Sequence, residues 1–313
     1  MGTFTKYSTM PRAKTTFARK ICLALALMII AGVVGVSVMF HYGQLSAGSA
    51  FSAVFADGGV RIDRGRSYGP HARHMLDIYR PADGAETGPI AVFFYGGGWR
   101  DGERATYGFV GTALAARGIT TVVPDYRLYP EVMFPAFVED AARAYRWVAE
   151  NLAGSTDAAR PIILIGHSAG AHIAAMLAVD GSYMQDGQGT IPEPAAFIGL
   201  AGPYSFDPTT FDTTKEIFAS VTEASRARPT ELVTGQAPPA LVMHGLDDET
   251  VKPWNTRTFA QALDAAGVTV VKSEFPGIGH VGLVLALSRP FRWRAPVLAE
   301  ITDFIAKVKQ ASP

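Results

Sequence analysis

Short, largely apolar runs recur along the chain and are separated by longer segments with helical patterns. Runs of four to six such residues lie at 90–94, 120–123, 162–165, 195–200 and 240–243. Uninterrupted runs of this length predict strands that are buried on both faces of a sheet. Two further strands are predicted at 74–79, where apolar residues alternate with others, and at 268–275.

The segments between these runs predict helices. Residues 135–152 place Phe137, Ala141, Tyr145 and Val148 at helical spacing, and segments 171–179, 254–266 and 294–309 are further helices. Asp140, near the start of the first of these, is interpreted as favouring the helix dipole. Strands that alternate with helices predict an α/β fold with a mostly parallel central sheet flanked by helices. Residues 203–239 have mixed polarity and predict an excursion over the rim of a site, with one or two short helices.

The N-terminal part of the chain has a different composition. Residues 1–20 form a basic segment, 21–40 is a run without a charged side chain, and 41–59 is rich in Gly, Ser and Ala. Twenty helical residues span about 30 Å, which is enough to cross a bilayer. We therefore expect a transmembrane anchor at 21–40, a linker at 41–59 and one catalytic domain at 60–313, held outside the cytoplasm by the positive-inside rule. The alternative is an export signal that is cleaved near 54–56.

Composition excludes several classes of function. The chain of 313 residues has 28 basic and 28 acidic side chains, and this balance gives no reason to expect nucleic acid as a partner. The one cysteine, Cys22, lies in the apolar run, so neither a disulfide within the chain nor a cysteine nucleophile in the catalytic domain is predicted. His71 and His74 are three residues apart, but a metal site needs three or four ligands, and a polar strand end is the favoured interpretation. No metal and no cofactor are predicted.

The most informative stretch is Gly166-His167-Ser168-Ala169-Gly170, a G-x-S-x-G pentapeptide between a predicted strand and a predicted helix. A strand, a tight glycine-flanked turn and a helix are the context of a nucleophile elbow. The turn needs small neighbours because the serine adopts a strained conformation that lifts its hydroxyl off the sheet. Ser168 is therefore the candidate nucleophile.

A serine hydroxyl needs a base within hydrogen-bonding reach and a carboxylate that orients the base. In this context the order along the chain is serine, acid and histidine. His280, in a glycine-rich loop after the last predicted strand, is the candidate base. Asp248 follows the strand at 240–243 and is the candidate acid, with Asp247 as the alternative. His172 is expected to point into the core, and His244 to be a structural turn residue.

A glycine cluster, Tyr95-Gly96-Gly97-Gly98-Trp99, follows the strand at 90–94. It lacks the last glycine of a dinucleotide fingerprint, since Asp101 occupies that position, and it lacks the Gly-Lys-Ser/Thr of a phosphate loop. The third interpretation is an oxyanion loop, in which glycines let backbone N–H groups approach a substrate oxygen. This interpretation alone fits the other motifs.

Taken together with the segments Asp125-Tyr126-Arg127-Leu128, His244-Gly245-Leu246-Asp247-Asp248 and Gly279-His280, these motifs resemble those of one family. The chain is similar to α/β-hydrolases of the carboxylesterase group that includes kynurenine formamidase, bacterial feruloyl-esterase-like and prenylcysteine methylesterase-like proteins. The resemblance implies that Gly97, Gly98 and Ala169 supply oxyanion-hole N–H groups and that Trp99 lines the acyl or alcohol pocket. In one departure, Tyr95 stands where the family usually has histidine, so the support of the loop is expected to differ.

The sequence thus predicts a serine hydrolase that cleaves a small-molecule carboxylic ester through an acyl-enzyme intermediate. A formamide or amide substrate remains an alternative within the same mechanism. A non-catalytic, membrane-tethered binding module is an alternative of another class, because a fold does not determine a function. That hypothesis predicts the loss of at least one of the three catalytic side chains.

Overall fold

The strands form one twisted sheet around which the described part of the chain is built. The structure, a computed structural model, describes residues 47–82, 84, 87–154, 159–185 and 191–311. Within these residues the sheet has eight strands in the order β1-β2-β4-β3-β5-β6-β7-β8. They are β1 Val60–Ser67, β2 Met75–Pro81, β3 Ile90–Phe94, β4 Thr120–Pro124, β5 Ile162–His167, β6 Ala196–Leu200, β7 Ala240–Gly245 and β8 Val270–Phe275.

The six strands from β3 to β8 are parallel to one another. At one edge β2 is antiparallel to β4, and β1 is antiparallel to β2. The strand order changes direction at β3. The next strand along the chain, β4, lies on one side of β3, and the strand after that, β5, lies on the other side. The loops that follow β3 and β5 therefore diverge above adjacent strand ends, and such a reversal leaves a crevice at the carboxyl edge of the sheet.

The helices cover both faces of the sheet. They are α1 Ala47–Phe55, α2 Gly108–Ala115, α3 Ala136–Leu152, α4 Ala169–Val179, α5 Pro229–Leu232, α6 Trp254–Ala265, α7 His280–Leu285 and α8 Val297–Ala311. Crossovers between parallel strands are right-handed, so α2 and α3, which follow strands that step in opposite directions, belong to opposite faces. Contacts agree with this placement, because α2 packs near α8, whereas α3 packs on α4.

The central strands are buried because helices cover both faces of the sheet. All residues of β3, β4 and β5 are buried, which explains why their sequences are apolar rather than alternating. Helix α4 is also buried along almost its whole length, and its alanines allow it to lie close to β5 and β6. The strand that leads into the G-x-S-x-G serine is thus enclosed on both faces.

The predicted strands and helices listed above are confirmed, with boundaries that differ by a few residues. Four elements of the fold were not predicted, namely strand β1 and helices α1, α2 and α7. The sequence placed His280 in a loop, whereas α7 begins at that residue. Strand β1 is an edge strand whose residues are mostly exposed, so its sequence is polar and lacks a buried-strand pattern. Helix α2 is buried on all sides and contains Gly108 and Gly111, both of which lie against Tyr79, so it shows no amphipathic period.

The N-terminal part differs from the predicted linker at 41–59. Residues Ala47–Phe55 form helix α1, in which the rings of Phe51 and Phe55 lie 6.4 and 6.3 Å from that of Phe109. The predicted transmembrane anchor at 21–40 lies outside the described residues. Among the helices of the described residues, none combines the length and the apolarity that crossing a membrane requires.

Asp140 has a different environment from the one expected. The sequence placed this carboxylate at the N-terminus of a helix as a partner of the helix dipole, but the structure buries it. Its Oδ1 lies 2.9 Å from His74 Nε2, and it accepts hydrogen bonds from the Arg127 backbone N–H and guanidinium. Asp140 therefore fastens α3 to the segment before β2 and to the segment after β4.

We expect Asp140→Ala to lower the free energy of unfolding by about 3 kcal/mol, because removal of one member of a buried ion pair leaves the other charge uncompensated. Urea unfolding measures this change. Asp303→Ala, at an exposed position on α8, serves as the control and is expected to change stability by less than about 0.5 kcal/mol. Equal effects of the two substitutions would contradict the structural role of Asp140.

Candidate active site

Ser168 lies at the sharp turn between β5 and α4. Its backbone has φ 56° and ψ −124°, a conformation that residues other than glycine rarely adopt. The turn is tight because a methyl group on Gly166 would lie 2.3 Å from the carbonyl oxygen of Gly170, and one on Gly170 would lie 2.1 Å from that of Phe94. The two glycines of the pentapeptide thus permit the close approach that presents the serine side chain at the crevice.

The structure brings the three candidate catalytic side chains together. Ser168 Oγ lies 2.8 Å from His280 Nε2, and His280 Nδ1 lies 2.7 Å from Asp248 Oδ2. With the serine hydroxyl donating to Nε2 and Nδ1–H donating to the carboxylate, the three residues form one continuous chain of hydrogen bonds. His280 is the first residue of α7 and Asp248 belongs to the turn after β7.

Asp248, rather than the alternative Asp247, faces the imidazole. Asp248 is 2% exposed and its Oδ1 accepts hydrogen bonds from the backbone N–H groups of Thr250 and Val251, each at 2.9 Å. Burial acts to raise the pKa of Asp248, but hydrogen bonds from His244, His280 and the backbone outweigh it and lower the pKa below the ordinary value. Asp247 accepts instead from the Gly277 N–H at 3.3 Å.

Two further histidines support this arrangement, and sequence reasoning assigned neither of them to the site. His244 is fully buried, with Nε2 2.8 Å from the Val251 carbonyl and 3.2 Å from Asp248 Oδ2. His167 donates from Nε2 to the backbone carbonyl of His280 at 3.2 Å. Burial lowers the pKa of His167 to about 3, so its ring is neutral at physiological pH. The one feature of the sequence that could have assigned His167 to the site is that it directly precedes Ser168.

The predicted oxyanion loop lies beside the serine. Phe94 pairs with Gly166 in the sheet, so the chain that leaves β3 runs next to the elbow. Gly97 has φ 137° and Gly98 has φ 60°, and a methyl group on Gly97 would lie 2.0 Å from the Asp101 carbonyl oxygen. The Gly97 carbonyl accepts hydrogen bonds from Arg100 and Asp101, which closes the loop on itself. Ala169 begins α4, where the first N–H groups lack partners within the helix.

Trp99 and a set of aromatic rings form a wall of the site. Trp99 is 3% exposed, and its ring centroid lies 5.1 Å from that of Phe218 and 5.3 Å from that of His172. His172 donates from Nε2 to the Ala227 carbonyl at 2.9 Å, and burial lowers its pKa to about 4. His172 is therefore a core residue, as the sequence predicted.

Ser168 and His280 open into a cleft of about 960 Å³. The excursion predicted at 203–239 contributes to its rim and contains the short helix α5. Arg100 and Lys252 are the charged members of the lining, and aromatic and aliphatic side chains form much of the rest. The lining consists of Gly97, Gly98, Trp99, Arg100, Tyr107, His167, Ser168, Ala169, Pro203, Phe206, Phe211, Thr213, Thr214, Thr250, Val251, Lys252, Trp254, Asn255, His280 and Val281.

The sheet order, the strand–turn–helix around the serine and the loop after β3 define the class: this is a protein of the α/β-hydrolase fold. The chain belongs to the BD-FAE family, whose model matches residues 76–263. The resemblance inferred from the motifs, to the carboxylesterase group of α/β-hydrolases, is thereby confirmed.

Curated relatives bear the names of esterases. An isoprenylcysteine alpha-carbonyl methylesterase of Arabidopsis thaliana is 29% identical over 72% of this chain and 58% of its own length. Esterase LipC of Mycobacterium tuberculosis is 29% identical over 68% of this chain and 58% of its own length. The chain thus spans about three fifths of the length of these relatives.

Solved structures share the fold. Esterase B from Lactobacillus rhamnosis superposes with a TM-score of 0.69 at 19% identity and covers 89% of this chain and 96% of its own. Esterase Est2 from Thermogutta terrifontis, in a propionate-bound structure, gives a TM-score of 0.65 at 23% identity, with 82% and 96% coverage. At these identities the likeness extends to the fold alone.

The buried histidines predict how stability depends on pH. Their pKa values in the folded protein, about 3 for His167 and about 4 for His172, lie below the ordinary 6.5, so unfolding takes up protons below that pH. The free energy of unfolding should fall as pH drops from 6.5 towards 4, by up to about 1.4 kcal/mol per pH unit for each histidine. Urea unfolding between pH 7.5 and 5 measures this slope.

His172→Gln is the informative variant, because a glutamine amide can still donate to the Ala227 carbonyl but does not titrate. We expect a shallower decline of stability with falling pH than in the parent protein. The same slope in both proteins would show that His172 binds no proton on unfolding and would refute the prediction.

Proposed function

We propose that the protein is a serine hydrolase that cleaves carboxylic esters through an acyl-enzyme intermediate. The observation that carries this proposal is the hydrogen-bonded chain of Ser168, His280 and Asp248 at the mouth of a cleft, with the serine in a strained conformation. The names of the curated relatives support the same activity.

In the first half of the reaction, Ser168 Oγ attacks the ester carbonyl carbon while His280 Nε2 accepts the hydroxyl proton. Asp248, which stays ionised because its pKa is lowered, holds Nδ1–H and stabilises the imidazolium. The tetrahedral oxyanion lies within reach of the N–H groups of Gly97, Gly98 and Ala169, an arrangement that contributes about 3–4 kcal/mol per donor. Collapse of this intermediate breaks the ester bond, and His280 protonates the departing alcohol.

In the second half, water replaces the alcohol. His280 takes a proton from the water, which attacks the acyl carbon, and then returns that proton to Ser168 Oγ as the acid leaves. The lining of the cleft supports a substrate with a sizeable apolar group, because aromatic walls such as Trp99, Phe206 and Trp254 stabilise apolar surface that is removed from water.

The non-catalytic binding module has less support. That hypothesis requires a missing or displaced catalytic side chain, whereas the described site contains a nucleophile, a base and an orienting acid at hydrogen-bonding distances. Attachment to a membrane through residues 21–40, and a location outside the cytoplasm, stay predictions from the sequence.

We expect Ser168→Ala to reduce the turnover of a short activated ester by at least about 10⁴-fold, because the acyl-enzyme cannot form. A fluorophosphonate probe should label the parent protein and leave this variant unlabelled. Ser182→Ala, at an exposed serine outside the cleft, is the control and should retain both activity and labelling. Full turnover by Ser168→Ala would rule out the proposed mechanism.

A second pair of variants separates the two neighbouring carboxylates. Asp248→Asn is expected to lower kcat by about 10³- to 10⁴-fold, because an amide next to Nδ1 favours the wrong imidazole tautomer. Asp247→Asn should leave kcat within about twofold, since that side chain contacts the Gly277 N–H and not the imidazole. Steady-state kinetics on one ester distinguishes the two variants, and a reversed ranking would assign the acid to Asp247.

A further inference from the structure

We infer that Arg73, Tyr95 and Asp125 act together as positioning residues for the oxyanion loop, and we call these three residues the loop clamp. This inference rests on the proposed function, because it assigns a task to side chains that lie behind the loop rather than in the cleft. No member of the clamp lines the cleft or contacts Ser168.

Tyr95 is the anchor at the start of the loop. Its side chain is fully buried, and its hydroxyl donates to Asp125 Oδ1 at 2.8 Å and accepts from Arg73 Nη2 at 2.8 Å. Its backbone carbonyl accepts a further hydrogen bond from the Tyr126 hydroxyl at 2.8 Å. The Tyr95 ring also stacks on Tyr126, with centroids 4.7 Å apart. Backbone and side chain of residue 95 are thus both fixed immediately before Gly96.

Arg73 connects the two ends of the loop. The nitrogen that donates to the Tyr95 hydroxyl also donates to the Gly102 carbonyl at 2.8 Å, while Nε donates to the Tyr126 carbonyl at 2.7 Å. The Arg73 guanidinium therefore binds residues on both sides of segment 96–101, namely Tyr95 before it and Gly102 after it. A methyl group on Gly102 would lie 2.7 Å from the Tyr95 ring, so these ends are also in direct contact.

Asp125 completes the clamp from the end of β4. Its side chain is 6% exposed, and Oδ1 accepts from the Arg104 backbone N–H at 2.7 Å in addition to the Tyr95 hydroxyl. The Arg104 guanidinium pairs with the same carboxylate and with Asp77 at 3.0 Å. Burial and the charge of Asp125 raise the pKa of Tyr95 well above its ordinary value, so the phenol keeps the proton that it donates.

The functional consequence follows from geometry. Gly97 and Gly98 both have positive φ. The hydrogen bonds from Arg100 and Asp101 restrain the Gly97 carbonyl, whereas a methyl group on Gly98 would meet nothing within 4 Å, so no neighbouring side chain packs against Gly98 on that side. An oxyanion donor contributes to catalysis only when it is held at hydrogen-bonding distance from the developing charge. The clamp supplies this restraint from outside the loop, and the tyrosine in place of the family's histidine is the residue through which it acts.

The test compares Tyr95→Phe with Tyr145→Phe in the full-length protein. Each substitution removes one hydroxyl group. The Tyr145 hydroxyl, on helix α3, donates to the Pro192 carbonyl and not to a residue of the oxyanion loop. We expect Tyr95→Phe to lower kcat by about 10- to 100-fold with KM within about twofold, because the loss lies in transition-state stabilisation. Tyr145→Phe should keep the parental kcat.

A boronic acid that forms a tetrahedral adduct with the serine provides a second measurement. Its affinity should fall in Tyr95→Phe by the same factor as kcat/KM, whereas a purely structural role would leave it unchanged in the folded protein. Arg73→Met, at a partly exposed position, should lower both kcat and the boronic acid affinity. This variant replaces Tyr95→Phe in the test if Tyr95→Phe does not fold.

The outcomes separate this inference from the proposed function. If Ser168→Ala is inactive and the folded Tyr95→Phe and Arg73→Met variants retain parental kcat and boronate affinity, the loop clamp is refuted and the hydrolase stands. A raised KM at unchanged kcat also refutes the clamp. If Ser168→Ala retains turnover, the proposed function itself fails.

Discussion

The close approach of the serine turn to strand β3 is the constraint on which the site depends. Gly170 lies so near the Phe94 carbonyl that no side chain fits between them, and Gly166 lies equally close to Gly170. This contact fixes the start of α4 against the end of β3, so the serine and the glycine loop share one crevice. The strain of a non-glycine residue at φ 56° costs of order 1–3 kcal/mol, and the buried strands on either side of β5 supply the packing that sustains it.

The hydrogen-bond partners of each side chain determine where the protons of the site lie. His167 Nε2 donates to the His280 carbonyl and His244 Nε2 donates to the Val251 carbonyl, while the Asp248 carboxylate faces His280 Nδ1. In the proposed mechanism His280 Nε2 accepts the proton that leaves Ser168, because it lies 2.8 Å from Ser168 Oγ.

Most of the fold could be predicted from the sequence, as could the three candidate side chains that the structure brings into one hydrogen-bonded chain, because both depend on strong local patterns. Buried parallel strands such as β3 and β5 need continuous apolar runs, and the nucleophile turn needs its glycines. Strand β1 was not predicted because an exposed edge strand requires no apolar residues. Helix α2 was not predicted because a helix that is buried on all sides has no polar face and so no amphipathic pattern. The position of Arg73 could not be predicted, since it depends on contacts with Tyr95, Gly102 and Tyr126, which no local spacing encodes. His244 contacts Asp248 and Val251, only four and seven residues further along the chain, but a single histidine at a strand end does not show which way its ring points.

The substitution of tyrosine for histidine before the glycine loop illustrates which features of such a site are fixed. The proposed oxyanion donors are backbone N–H groups, so the proposed chemistry requires a particular path of the loop and not a particular side chain at residue 95. A buried phenol, whose pKa burial raises well above its ordinary value, is compatible with two charged neighbours because it donates to Asp125 and accepts from Arg73 at the same time. Burial of Asp77 and Asp125 with two arginines carries a desolvation cost that an apolar cluster would avoid. The hydrogen bonds of Arg73 join the Tyr95 hydroxyl and the Gly102 carbonyl through one nitrogen, and an apolar cluster would lack these directional contacts.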